Sequence, residues 1–259
     1  SEVAENITKD VAVLMLTQVD YRTGAMHDMT ALTQAAHAVG ALVVWDLAHS
    51  AGALTVDVAA VQADFAVGCT YKYLNGGPGA PAFIYVAPKH ADQVKPLLSG
   101  WLGHHSPFAF DLDYRAGDGI ERMRVGTPPV IQLASLSAAL DVWDHVDIAD
   151  LRKTSQDLGD QFIKGVEATS PMLTLASPRD AHMRGSQVSF RFDEGYAAMQ
   201  AIIARGVIGD FRAPDIMRFG FTPLFIDAAD VDKAIAVIAD VMGNATWDDP
   251  KYKTRNAVT

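Results

Sequence analysis

The sequence predicts an α/β protein: a larger amino-terminal domain on a mostly parallel sheet, then a smaller α+β domain. Three observations predict it. Short apolar runs recur at residues 11–16, 41–45, 65–69 and 81–86, each the length of a buried strand. A stretch with helical spacing separates the first two, and strands alternating with helices imply crossover connections and parallel pairing. After about residue 140 the pattern shifts to longer amphipathic segments and short alternating strands. The boundary is therefore placed between 1–140 and 141–259.

The elements follow in order. In 28–39, Met29, Leu32, Ala35, Ala36 and Val39 share one helix face, and Gly40 stops the helix. Residues 151–166 read as a long amphipathic helix. Residues 187–192 read as a strand, because Val188, Phe190 and Phe192 alternate. A helix over 196–205, a short strand over 217–221 and a helix over 227–242 complete the second domain. The last helix has Ile226, Val231, Ala234, Ile235 and Ile238 available for a core face. Residues 247–259 are polar and read as an extended tail.

Composition narrows the function. The chain has 259 residues, of which 49% are apolar, enough for a sizeable core. Its 31 acids against 21 Lys and Arg give a net charge of -10, which argues against nucleic acid or an anionic membrane as a partner. The single cysteine, Cys69, gives no sign of an oxidising compartment. No apolar run is long enough to span a bilayer, and the first residues do not read as a secretory signal. The expectation is a cytoplasmic enzyme.

Ligands of open α/β sheets sit beyond the carboxyl ends of the strands. Asp46 and Lys72 each follow such an end, and Thr17 follows a third. A lysine and an acid so placed suit pyridoxal phosphate (PLP). The lysine forms a Schiff base with the cofactor aldehyde, and the acid holds the ring nitrogen protonated. Tyr71 and Tyr73 flank Lys72, and Asn75-Gly76-Gly77-Pro78-Gly79 makes a tight turn that admits a ligand close to the backbone. His49 is positioned to pack on a cofactor, to hydrogen-bond Asp46, or simply to stand at the start of a helix.

Further residues are weighed against plainer roles. Trp101 lies between glycines and presents an indole N–H to a phosphate, or fills core. Thr127 opens a helix in Gly126-Thr127-Pro128-Pro129, where free N–H groups bind phosphate, or it is an ordinary N-cap. Arg218 sits inside a short apolar strand, where it grips a substrate carboxylate or forms a structural ion pair. His27, His37, His49 and the pair His104-His105 lack metal-ligand spacing, so no metal is expected.

Together these segments resemble kynureninase, a PLP enzyme of fold type I, the PLP-dependent transferase-like fold, over about residues 11–240. The resemblance rests on Trp45-Asp46-Leu47-Ala48-His49, Thr70-Tyr71-Lys72-Tyr73-Leu74-Asn75-Gly76-Gly77, Gly100-Trp101-Leu102-Gly103-His104, Arg184-Gly185-Ser186-Gln187 and Arg212-Ala213-Pro214-Asp215-Ile216-Met217-Arg218. It implies hydrolysis of L-kynurenine, and of 3-hydroxykynurenine, to anthranilate and L-alanine. It makes Lys72 the Schiff-base lysine and Asp46 the partner of the ring nitrogen, with His49 and Thr17 beside the ring. Tyr71 becomes a phosphate contact and proton donor, and Arg218 the anchor of the substrate carboxylate. Trp101 and Thr127 reach the phosphate of a neighbouring subunit, which implies a homodimer with shared sites. The family's phosphate loop and ring-stacking aromatic lie upstream, so the resemblance also implies an amino-terminal segment before residue 1.

Two alternatives stand beside it. A cysteine desulfurase-like PLP enzyme needs a mobile cysteine in a loop of the later half, whereas Cys69 falls in a strand. A non-catalytic fragment would keep the sheet and the dimer surface without the chemistry.

Overall fold

The computed structural model describes residues 2–254. The chain divides into two compact units. The first holds Asp28–Ala51 and Val56–Asp144 with the residues before Gln18; the second holds Gln18–His27, Gly52–Thr55 and the residues from His145 on.

In the first unit the elements run α1 (Glu2–Glu5), β1 (Val13–Thr17), α2 (Met29–Val39), β2 (Leu42–Asp46), β3 (Phe65–Cys69), β4 (Ala82–Val86), α3 (Pro88–Ala91) and α4 (Val130–Leu140). The sheet order is β1-β2-β3-β4. β1 pairs parallel with β2, β2 pairs parallel with β3, and β4 returns antiparallel to β3. The sheet is thus mostly parallel, as the alternation of elements predicts.

Local chemistry sets α2. The Asp28 carboxylate caps it by accepting from the Ala31 N–H at 2.9 Å, and Gly40 closes it in the left-handed region at φ 87°. Its buried Met29, Leu32 and Ala36 pack with Val43 and Trp45 of β2. Trp45 is fully buried, and its indole N–H is satisfied by the Thr33 hydroxyl at 3.0 Å.

At the opposite end of β3 from the predicted site, Asp64 is 1% exposed. Its carboxylate accepts from the Val43 N–H at 2.9 Å and meets His37 Nε2 at 2.8 Å, His90 Nε2 at 2.7 Å and Lys89 Nζ at 2.7 Å. Burial acts to raise its pKa, but Lys89, His90, His37 and the Val43 N–H outweigh burial and hold the carboxyl well below the usual range. The sequence reading did not single out this anchor, because its four partners come from three separate segments.

In the second unit, α5 (Ile148–Thr169), β5 (Thr174–Leu175), β6 (Gln187–Arg191), α6 (Gly195–Ile203), β7 (Asp210–Arg212), β8 (Ile216–Gly220), α7 (Ala228–Gly243) and α8 (Pro250–Lys253) follow in order. The sheet order is β5-β6-β8-β7, with every pair antiparallel. Phe162 of α5 packs on Phe190, Phe219 and Phe221 at centroid distances of 6.1, 5.0 and 5.4 Å. Buried Ile202, Met217 and Ile238 join the same core. A capping box at Asp227 and Asp230 starts α7.

The tail expected from 247 differs. Residues Thr246–Asp248 form a 3₁₀ turn and α8 follows, with Trp247 stacked edge-on to Phe192 at 5.1 Å. Trp247 and Tyr252 pack against the core, so apolar burial at two positions overrides the polar composition. Residues 255–259 of that expected tail lie outside the described residues.

Candidate active site

Parallel register gathers the predicted residues at one sheet edge. Thr17 stands opposite Asp46, and Asp46 opposite Val67. β3 continues to Cys69, and Lys72 follows three positions later. Alternation along β2 sends Trp45 into the core and Asp46 to the other face, where it is half-buried. Its Oδ1 accepts from the Ala48 N–H at 2.8 Å. Among the described residues no cation pairs with this carboxylate.

Lys72 is also half-buried, and no carboxylate pairs with it among the described residues. Its Nζ lies 3.3 Å from His49 Nε2 and 5.4 Å from the centroid of the Tyr71 ring. The His49 ring thus meets Lys72. The turn that presents the lysine is tight. The Asn75 N–H donates to the Lys72 carbonyl at 2.9 Å, and the Gly76 N–H to the Thr70 carbonyl at 2.8 Å. A Cβ on Gly76 would stand 2.8 Å from that same oxygen, so a side chain there would force the turn open. Asn75 itself takes φ 61°, a conformation asparagine tolerates.

Trp101 and Thr127 are brought together within the first unit. A Cβ on Gly100 would stand 1.9 Å from the Val125 carbonyl oxygen, so only glycine permits this approach. The Trp101 indole nitrogen then lies 3.7 Å from the Cβ position of Gly126, next to Thr127. The helix expected to open at Thr127 starts instead at Val130, with Pro129 as N-cap and no side-chain cap. Two successive prolines explain the delay, since a residue before proline is driven from helical to extended backbone. Thr127 and Trp101 are both exposed.

Arg218 belongs to the second unit, in β8. Its Nε donates to Asp210 Oδ1 at 2.8 Å, its Nη2 to Asp210 Oδ2, and its Nη1 to the Tyr21 carbonyl at 2.6 Å. The ion pair that the sequence left as one alternative is therefore formed. Asp210 was missed. It faces Arg218 directly across the β7–β8 ladder, a register not visible before the strands are paired.

The Arg184-Gly185-Ser186-Gln187 run holds residues 18–27 onto the second unit. Gln187 Nε2 donates to the Tyr21 carbonyl at 3.1 Å, and the Gly185 N–H to the Gly24 carbonyl at 2.8 Å. Arg184 is 2% exposed and donates to the carbonyls of Pro178 and Arg179 at 3.0 and 2.7 Å. Cys69 sits within β3, its thiol donating to the Ala48 carbonyl at 3.7 Å. That is a fixed strand position, unlike a cysteine on a mobile loop. No cluster of metal-ligating side chains exists among the described residues.

The donor set fits PLP. The cofactor presents an aldehyde, a basic ring nitrogen and a phosphate. Lys72 offers an amine free of any carboxylate. Asp46 offers a carboxylate that accepts from the Ala48 N–H and pairs with no cation among the described residues. The indole N–H beside Thr127 offers donors of the kind a phosphate takes.

Solved structures agree with this fold. The cysteine desulfurase of Thermococcus onnurineus superposes with a TM-score of 0.78 at 20% identity, over 94% of this chain and 62% of that one. C-DES with glycine covalently linked to its PLP cofactor gives 0.80 at 17% identity, over 92% and 63%. At such identities the likeness defines the fold alone: this is the PLP-dependent fold type I. Sequence narrows it further. Residues 151–238 match the kynureninase C-terminal domain family. The chain is 49% identical to the kynureninase of Pseudomonas fluorescens over 100% of its own length, and 51% identical to that of Deinococcus radiodurans over 93%. Over the stretch compared, the chain is kynureninase-like in sequence. It spans 62% and 59% of the length of those two relatives.

Proposed function

We propose that the protein carrying this sequence hydrolyses L-kynurenine to anthranilate and L-alanine with PLP as cofactor, and accepts 3-hydroxykynurenine. The observation that carries this reading is the gathering of Thr17, Asp46 and Lys72 at one sheet edge, in a chain of kynureninase sequence. Bound there, PLP supplies an electron sink for a carbanion at the substrate α-carbon.

The chain's own residues do the rest. Lys72 would hold the cofactor through its aldehyde carbon, and its amine is placed to take the proton from the substrate Cα once the substrate's own amine has replaced it there. His49, 3.3 Å away, keeps the amine oriented between these tasks. Asp46 pairs with the ring nitrogen and keeps it protonated, with Thr17 beside the ring. Water adds across the γ-carbonyl to give a hydrate; as the Cβ–Cγ bond breaks, the carbonyl carbon leaves as the carboxyl group of anthranilate, the Tyr71 hydroxyl gives its proton to the β-carbon, and the proton released from the hydrate hydroxyl restores Tyr71. Tyr71 also contacts the phosphate. Arg218 anchors the α-carboxylate.

The same reading makes the protein a cytoplasmic homodimer, with Trp101 and Thr127 serving the phosphate of the neighbouring subunit. Exposure of both residues supports this, as does α4, which has no buried residue and leaves Val130 66% and Ile131 80% exposed. A segment preceding this sequence supplies the ring-stacking aromatic and the remaining phosphate contacts. The coverage of the relatives' length supports that part.

Titration of the protein with PLP tests the site. A Schiff-base absorption band should grow in and be absent in Lys72→Ala, and anthranilate fluorescence should appear on adding L-kynurenine. A band that persists in Lys72→Ala, or no anthranilate from the wild type, overturns the reading.

A further inference from the structure

The guanidinium of Arg218 has five N–H groups. Three are committed: Nε and one N–H of Nη2 grip the two oxygens of Asp210, and one N–H of Nη1 goes to the Tyr21 carbonyl. One N–H remains on each terminal nitrogen, the number that the two oxygens of a carboxylate accept. The Arg218 side chain is 13% exposed, so it is held within the sheet but reachable.

Charge points the same way. Asp210 Oδ2 also lies 3.3 Å from Arg212 Nη2. Two guanidiniums share one carboxylate, and the cluster keeps one net positive charge. An arginine with no such partner would sit uncompensated in an apolar strand. Without a fixed edge, its long side chain would also lose rotamer freedom on meeting a ligand.

We infer that Asp210 is a positioning residue for Arg218: it fixes the Nε–Nη2 edge so that the remaining N–H groups are presented to a substrate α-carboxylate. This rests on the proposed role of Arg218. Asp210 touches no substrate, and its effect passes through the guanidinium. It therefore acts on binding of the carboxylate more than on bond breaking.

The test uses the full-length, PLP-loaded protein and L-kynurenine. Asp210→Asn keeps the shape but removes the charge and places a donor against a donor. It should raise KM about tenfold with a smaller change in kcat, while Asp210→Glu, which keeps the anion, should restore most of the loss. Arg218→Ala should raise KM about a hundredfold, and Asp210→Asn added to it should have no further effect. The decarboxylated amine of kynurenine, used as an inhibitor, should bind wild type and Asp210→Asn alike. Melting curves of each variant check folding. An unchanged KM in Asp210→Asn, beside a raised KM in Arg218→Ala, overturns the positioning role. So does a penalty that persists without Arg218 or without the carboxylate. An unchanged KM in Arg218→Ala instead overturns the proposed anchor itself.

Discussion

At the scale of single residues, local sequence singled out candidate side chains for the chemistry but not what each one touches. Lys72 and Asp46 stood out because each lies at or just past the end of an apolar strand, a pattern read within a few residues. The meeting of His49 with Lys72 spans 23 positions and depends on the paths of two strand-end loops. Asp64 is the sharper case. Nothing in Ala63-Asp64-Phe65 marks it, yet it gathers Val43, His37, Lys89 and His90 in the fold. Asp64→Asn should destabilise the protein by about 2–4 kcal/mol at pH 7, because a buried network loses its anion. The folded pKa lies below the unfolded value of about 3.9, so this stabilisation is complete above that value. It is lost as pH falls through the folded pKa. Urea unfolding of wild type and variant should therefore give a gap that is constant near neutrality and shrinks below about pH 4.

At the scale of elements, periodicity carried far. The strand at 65–69 and the helix stopped by Gly40 lie where spacing and caps place them, and the strand read over 187–192 ends one residue earlier, at Arg191. Two expectations failed, one for a local reason and one because a distant partner decides. Thr127 does not open a helix, since two prolines delay it, and the 247–253 stretch turns helical because Trp247 finds Phe192. β3 shows how an element serves the site. Gly68 is bare because a Cβ there would stand 2.3 Å from Cζ of Phe83 on β4. Gly68→Ala should displace that ring and cost about 1–3 kcal/mol in chemical denaturation. A loss of stability below about 0.5 kcal/mol would show that Phe83 swings aside freely.

At the scale of the whole molecule, the proposed dimer yields its own prediction. If Trp101 serves the neighbouring subunit, Lys72→Ala and Trp101→Ala subunits carry complementary defects. A mixed dimer then holds one site with neither. Mixing the two variants after subunit exchange should give more anthranilate than the sum of the separate samples. Strict additivity would place Trp101 in the site of its own subunit.

The sequence by itself determined the α/β class with its mostly parallel sheet, and it singled out the lysine, acid and arginine proposed for the site. These follow from periodicity, strand ends and motif, which act over a few residues. Only the tertiary structure decided what those residues meet: His49 at Lys72, Asp210 at Arg218, the four partners of Asp64. Each such meeting is set by strand register and loop path. A shift of one residue in register turns every side chain of a strand to its other face, and that register is chosen by the packing of the whole unit.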